Sequence, residues 1–204
     1  MPHWCQEGVA HAVTLWTADS LPRRMTGRWL AWRVSVLCRF HIDPDAPDWR
    51  RQLREVAPQA EALFHRRQVR AFMSCLDRGH GACPMARPEV AAIVAEALRH
   101  LAGVKYGLGD FVVMPNHVHA LLVPLGGWTL SQILRDLKRF TARRINELLG
   151  RTGQFWQHDG YNRIVRTPHR LAEIERYIAD NPKKLRPGTF LLSSGCGSTP
   201  PSSA

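Results

Sequence analysis

The fold is decided by Phe111-Val112-Val113-Met114-Pro115-Asn116-His117-Val118-His119-Ala120-Leu121-Leu122-Val123. Two apolar runs flank a Pro-Asn turn signal, and this pattern predicts a β-hairpin. Each run is apolar at successive positions, as in strands that helices cover on both faces. We therefore expect a hairpin from about Val104 to Val123 at the centre of a sheet.

The second apolar run carries His117 and His119, separated by a single valine. Successive side chains of a strand point to opposite faces, so both imidazoles lie on the same face. A buried imidazole needs a partner for each ring nitrogen, and an apolar side chain would be cheaper at either position. The pair therefore indicates a metal-binding geometry.

Length and composition favour one globular domain, which we place at residues 1–187 with a flexible tail at 188–204. The chain has 204 residues, of which 45% are hydrophobic. Its net charge of +11 favours nucleic acid as a partner, and a solvated basic surface is the alternative. The five cysteines are an odd number without a CxxC pair, and we see neither a signal peptide nor a membrane span. We expect a cytoplasmic protein with reduced thiols.

Periodicity predicts the remaining elements around the hairpin. The ambiguous segment 28–40 is interpreted as a helix. A second helix is expected to continue past Pro58. The predicted elements are a strand at 11–17, helices at 28–40, 53–74, 88–102, 129–149 and 168–180, and an extended segment at 161–166.

The helix predicted at 129–149 carries basic residues on the side opposite its apolar stripe. Arg135, Arg139 and Arg143 are spaced four residues apart, with Lys138 and Arg144 beside them. Residues at this spacing share a helix face. A solvated face usually mixes the two signs of charge, so this basic ladder favours contact with phosphates.

The last predicted helix carries Tyr177 and Asn181, again four residues apart and on one face. A phenol and an amide oxygen can thus be presented together. By itself this spacing is weak evidence, since a tyrosine beside Ile178 is commonly a packing residue.

Several ordered motifs together resemble the single-tyrosine HUH transposases, most closely the branch called REP-associated tyrosine transposases. The similarity runs from about Trp4 to Arg186 and includes the loop Leu76-Asp77-Arg78-Gly79. The motifs are Met114-Pro115-Asn116-His117-Val118-His119, Phe155-Trp156-Gln157, Tyr161-Asn162-Arg163-Ile164-Val165-Arg166 and Tyr177-Ile178-Ala179-Asp180-Asn181-Pro182.

The resemblance implies an α+β fold, a ferredoxin-like antiparallel sheet with packed helices and the histidine strand at its centre. It implies that His117, His119 and Asn181 bind a divalent metal, Mg or Mn, and that Tyr177 is the nucleophile. A tyrosine with a pKa of about 10 is protonated at neutral pH, so its attack on phosphorus needs charge stabilisation. The implied reaction is cleavage and rejoining of single-stranded, hairpin-containing DNA through a 5′-phosphotyrosine.

For DNA binding we expect the basic ladder to hold the backbone. We expect Trp156 to be exposed and to stack on bases, and Arg163 to contribute a further contact. The sequence leaves open whether a monomer or a homodimer acts, with the tyrosine supplied in cis or in trans. It also departs from the family at Asn162, where relatives have Asp, and at Lys183-Lys184-Leu185-Arg186-Pro187.

Two other functions remain open from the residues themselves. One is a protein of the same fold that binds hairpin DNA without cutting it. The other is a zinc hydrolase built on His117 and His119, for which neither a third strong ligand nor a general base is evident. The intact tyrosine motif favours the DNA-cleaving enzyme over both.

Overall fold

The computed structural model describes residues 8–158 and 160–194. The chain divides into two compact units, one of Met1–Ser20 with Ala82–Ala204 and the other of Leu21–Gly81. We call them the sheet unit and the helical unit. The predictions that involve Trp4, Cys5 and Cys196 fall outside the described residues, and the single domain at 1–187 stays a prediction.

The sheet unit is built on five antiparallel strands in the order β4-β1-β3-β2-β5. The first four strands follow the ferredoxin-like order, in which β1 and β3 are central neighbours. The predicted α+β class and the central position of the histidine strand are therefore confirmed. The strands are β1 (His11–Trp16), β2 (Tyr106–Val113), β3 (His117–Pro124), β4 (Tyr161–Ile164) and β5 (Leu191–Ser193).

Helices cover both faces of this sheet, because β2 and β3 are apolar on both sides. On one face Val118, Ala120 and Leu122 join a large core with α4 and α5. On the other, Leu121 and Val112 pack in a smaller cluster with α6. The helices of this unit are α4 (Pro88–His100), α5 (Leu130–Leu148) and α6 (Pro168–Asp180).

The helical unit contains α1 (Arg23–Cys38), α2 (Trp49–Val56) and α3 (Pro58–Asp77). The prediction of one continuous helix through Pro58 is wrong. Proline has no N–H to donate and its ring clashes with the preceding turn, so Pro58 instead begins α3. None of the described helices combines the length and apolar character that crossing a bilayer requires.

The carboxyl-terminal region departs from the flexible tail expected at 188–204. Leu191 pairs with Val113 and Ser193 with Phe111, so this stretch adds the edge strand β5 to the sheet. Beyond residue 194 the tail lies outside the described part of the chain.

Candidate active site

The two histidines begin the central strand β3. Antiparallel register places Trp16 opposite His117 and Thr14 opposite His119. Both imidazoles lie on the face that α6 covers, together with Leu121 two residues further on. Their ring centroids are 4.7 Å apart in an edge-on arrangement, and the two side chains are 1% and 4% exposed.

An asparagine side chain fixes the proton on His117. Nδ1 of His117 lies 2.7 Å from Oδ1 of Asn116, the last residue of the hairpin turn. An amide oxygen can only accept, so Nδ1 carries the hydrogen and donates it. The lone pair of the imidazole is therefore on Nε2, which leaves that nitrogen able to bind a metal.

The neighbouring strand holds His119. The hydroxyl of Thr14, a buried residue of β1, lies 2.9 Å from Nδ1 of His119. A hydroxyl can donate or accept, so this contact orients the ring without fixing its tautomer. The other nitrogen, Nε2, points to α6.

Helix α6 brings Tyr177 to His119. The phenolic oxygen of Tyr177 lies 3.5 Å from Nε2 of His119, and the two rings meet edge to face with centroids 5.1 Å apart. Apolar residues on either side of the tyrosine seat the helix, since Ile174 and Ile178 pack into the smaller core. Tyr177 itself is 40% exposed, so an oxygen beside a buried imidazole is also open to a ligand.

Asn181, the predicted third ligand, follows Tyr177 by one helical turn. Its backbone N–H donates to the carbonyl oxygen of Tyr177, and it begins the 3-10 turn Asn181–Lys184. The buried amide nitrogen Nδ2 makes no hydrogen bond with any described residue. Coordination by Asn181 remains a prediction.

Burial holds both imidazoles in the neutral form. It lowers the pKa of His119 from its ordinary value to about 3. Burial also lowers the pKa of His117 well below its ordinary value, and positive charge on His119 would lower it further. Burial disfavours the charged form of a base, so both rings are unprotonated at neutral pH.

The histidine pair fits a divalent metal on the chemistry of its donors. Both rings are neutral, one has its lone pair assigned to Nε2, and their ligand atoms lie within 4.8 Å of one another. Hydrogen bonds between Nδ1 of each ring and Asn116 or Thr14 orient the rings, as outer partners of metal-binding histidines do. These residues could therefore hold a metal ion beside Tyr177.

The basic ladder is exposed along α5, as its spacing predicts. Arg135, Arg139 and Arg143 are all exposed, and Arg135 has a weak ion pair with Asp136 at 3.9 Å. Asp136 is also paired with Lys105 at 2.9 Å. Three arginines thus lie on one accessible face, and their contact with DNA stays a prediction.

Lys138 has a structural contact that its place in the ladder did not predict. Its ammonium donates to the carbonyl oxygens of Gln157 at 2.9 Å and His158 at 3.0 Å. It therefore ties the loop after Trp156 to α5.

The prediction that Trp156 is exposed is wrong. It is 4% exposed, packs edge-on against Phe155 and donates from Nε1 to the hydroxyl of Thr141 at 2.8 Å. An indole that is buried and satisfied in this way is part of the core. We therefore assign it no stacking on DNA bases.

Arg163 lies on the outer strand β4, exposed to solvent. Arg163 also lines a cavity between β4 and the first turn of α6. The other basic residues predicted to contact DNA, Arg135, Lys138, Arg139 and Arg143, lie on α5.

Comparison with known proteins agrees with this arrangement. Residues 86–181 match the family described as "Transposase IS200 like". This segment, slightly less than half of the chain, is similar to that transposase family. The matched segment includes His117, His119 and Tyr177 and ends at Asn181, so the resemblance to single-tyrosine HUH transposases is confirmed. Membership of the REP-associated branch stays a prediction.

One solved structure is similar to this chain. It is described as "Structure of the REP associates tyrosine transposase bound to a REP hairpin". The similarity covers 90% of this chain and 72% of that one, with 13% identity and a TM-score of 0.45. No curated protein matches the chain.

Two residues of the candidate site were missed from the sequence. Asn116 was interpreted only as a turn residue, although its position directly before His117 was available as a signal. Thr14 was interpreted only as a strand residue. Its contact with His119 depends on the register between β1 and β3. The two residues are 105 positions apart in the chain, so no local sequence pattern indicates the contact.

Proposed function

We propose that the protein is a metal-dependent transposase that cuts and rejoins single-stranded DNA near a hairpin through a 5′-phosphotyrosine. The observation that carries the proposal is the contact of Tyr177 with His119, in which a partly exposed phenol lies 3.5 Å from an oriented, neutral imidazole. The transposase family of residues 86–181 supports the same reaction class. The similar solved protein is bound to a REP hairpin, which motivates hairpin DNA as the substrate here.

In the proposed reaction, the Tyr177 oxygen forms a bond to phosphorus as the bond from phosphorus to the 3′-oxygen breaks. The phenol loses its proton, and the leaving 3′-oxygen takes one up as a hydroxyl. The protein keeps the 5′-phosphate as a phosphotyrosine ester, which a DNA hydroxyl can attack in the reverse sense. No water or nucleoside triphosphate is consumed.

His117, His119 and Asn181 are the residues that would hold the metal, Mg or Mn. A bound divalent ion would supply electrostatic stabilisation to the negative charge that develops on the phosphate oxygens. The protein's own part is positioning: Asn116 and Thr14 orient the imidazoles, and the apolar face of α6 sets the phenol against them. Tyr177 and His119 of the same chain meet in this site, which supports action in cis. A homodimer is not needed to complete the site.

The basic ladder supports DNA as the partner. Arg135, Arg139 and Arg143 place three positive charges on an accessible helix face, and the net charge of +11 acts in the same direction. We propose that these arginines, with Arg163, contact the DNA backbone.

A covalent-adduct assay tests the reaction. A set of labelled hairpin oligonucleotides with single-stranded flanks is incubated with the protein and Mn²⁺ and resolved under denaturing conditions. We expect a protein-linked band with the wild type and none with Tyr177→Phe, which keeps the ring and removes the nucleophilic oxygen. Tyr161→Phe is the matched control, because it changes a partly buried tyrosine on β4 and should leave the adduct intact. If wild type and Tyr177→Phe are equally inactive while both bind the hairpin, the protein is a non-cleaving hairpin binder.

A further inference from the structure

A cavity of about 530 Å³ opens between β4 and the first turn of α6, within the sheet unit. Among the described residues, three arginines line it, Arg163, Arg166 and Arg170, against one carboxylate, Glu173. Arg170 pairs with that carboxylate at 2.6 Å. The lining thus has an excess of positive charge.

The amino-terminal end of α6 adds to this positive potential. Thr167 caps the helix by accepting from the backbone N–H of Arg170 at 3.2 Å, and both residues line the cavity. Pro168 has no N–H and Arg170 donates its own to the cap, so the contribution of this end is the positive pole of the helix dipole. Such an end favours an anion.

A buried histidine supplies the independent sign of a ligand. His11, the first residue of β1, lines the same cavity and is 1% exposed. Its Nε2 has no hydrogen-bond partner among the described residues. Nε of Arg170 is likewise buried without a described partner. A buried polar atom normally has a partner, so two such atoms at one basic cavity indicate a group that is able to satisfy them.

We propose that this cavity binds a phosphodiester of the DNA strand on which Tyr177 acts, a short distance along the strand from the cleaved bond. The inference rests on the proposed function, since it takes DNA as the substrate. From Arg170 to Tyr177 the helix rises roughly 10 Å. One end of α6 would therefore hold the strand while the other end presents the tyrosine.

Phosphate binding is tested first without DNA. Thermal unfolding of the full chain is followed with inorganic phosphate against chloride at matched ionic strength. We expect phosphate to raise the midpoint temperature of unfolding in the wild type. This effect should be lost in the double variant Arg163→Gln/Arg166→Gln. Arg87→Gln removes the same charge from an exposed residue at the start of α4 and should behave as wild type. Equal phosphate effects in all three proteins would overturn the site.

DNA binding is then measured with Tyr177→Phe as the parent, so that cleavage does not intervene. For an oligonucleotide with a single-stranded flank, we expect each of Arg163→Gln and Arg166→Gln to raise Kd roughly three- to tenfold. Glu173→Gln should lower Kd, because it removes the one carboxylate and releases Arg170. His11→Phe should raise Kd, because it removes Nε2 while keeping an aromatic ring. If the arginine variants weaken phosphate binding but bind DNA as the parent does, the cavity takes a free phosphate and the DNA assignment is wrong.

The adduct assay separates this inference from the proposed function. Should wild type form the tyrosine adduct while the cavity variants bind phosphate and DNA normally, only the cavity proposal fails. A wild type that forms no adduct, with DNA binding that still depends on Arg163 and Arg166, contradicts cleavage and leaves the cavity as a DNA site.

Discussion

The hydroxyl of Thr14 lies 2.9 Å from Nδ1 of His119, linking β1 to the histidine that faces Tyr177. This contact sets the orientation of the ring whose other nitrogen belongs to the site. Because outer partners of metal-binding histidines orient the ring, we expect Thr14→Val to weaken Mn²⁺ binding about tenfold. Calorimetric titration of the protein with Mn²⁺ measures the change without DNA.

Thr17→Val is the matched control for Thr14→Val. Thr17 is also buried and follows the same strand, but its hydroxyl contacts Asp19 and Ser20. Unchanged Mn²⁺ affinity in Thr14→Val, or an equal loss in both variants, would contradict a specific role for Thr14.

The buried histidines predict that the metal-free protein loses stability in acid. In the unfolded chain a histidine takes up a proton near pH 6.5, whereas in the folded protein the pKa of His119 is about 3. The unfolded state therefore binds more protons between these values, and the free energy of unfolding falls as pH decreases through this window. The expected loss is about 1.4 kcal/mol per pH unit for each such histidine. It is complete once the pH falls below the folded pKa.

Urea unfolding from about pH 7 to pH 4.5, with chelator present, measures this slope. His119→Gln removes one titrating ring and should flatten the slope relative to wild type. His158→Gln, which replaces an exposed histidine outside the site, is the control. Parallel slopes in wild type and His119→Gln would show that His119 does not titrate in this way.

The basic ladder predicts a charge-dependent part of DNA affinity. Removing one phosphate contact reduces the dependence of log K on log salt by about 0.7 for single-stranded DNA. We expect Arg139→Gln to weaken binding and to lower the salt slope by about this amount. Binding curves at several salt concentrations, with Arg87→Gln as the control of equal charge, measure both quantities. Identical slopes for the two variants would mean that Arg139 contributes only through net charge.

Local sequence patterns predict some features of the fold and the site but not others. The hairpin, the shared face of His117 and His119 and the exposed ladder of α5 follow from local periodicity, so they were predictable. The break at Pro58 was predictable in principle, because proline ends a helix before itself, but the apolar spacing on either side of it appeared continuous.

Contacts distant in the chain were not predictable in the same way. Thr14 reaches His119 only through strand register. Trp156 is buried because it packs into the large core, where the hydroxyl of Thr141 on α5 accepts from its indole N–H. An aromatic residue in a loop of glycine and polar residues has the pattern of an exposed side chain. Its burial depends on tertiary packing, which the local sequence does not encode.

The buried contact between Trp156 and Thr141 predicts a structural effect of mutation at Trp156. Trp156→Phe removes the Nε1 donor and part of the ring, so we expect a loss of about 2 kcal/mol or more in the free energy of unfolding.

Thr141→Val removes the acceptor, and the double variant isolates the interaction between the two side chains. Because Thr141 also donates to the carbonyl oxygen of Leu137, Thr141→Val has a cost of its own that the cycle subtracts. We expect a coupling of about 1 kcal/mol by urea unfolding, and DNA affinity per folded molecule equal to that of wild type. A folded Trp156→Phe protein with DNA affinity reduced severalfold would instead show that the indole contributes to binding.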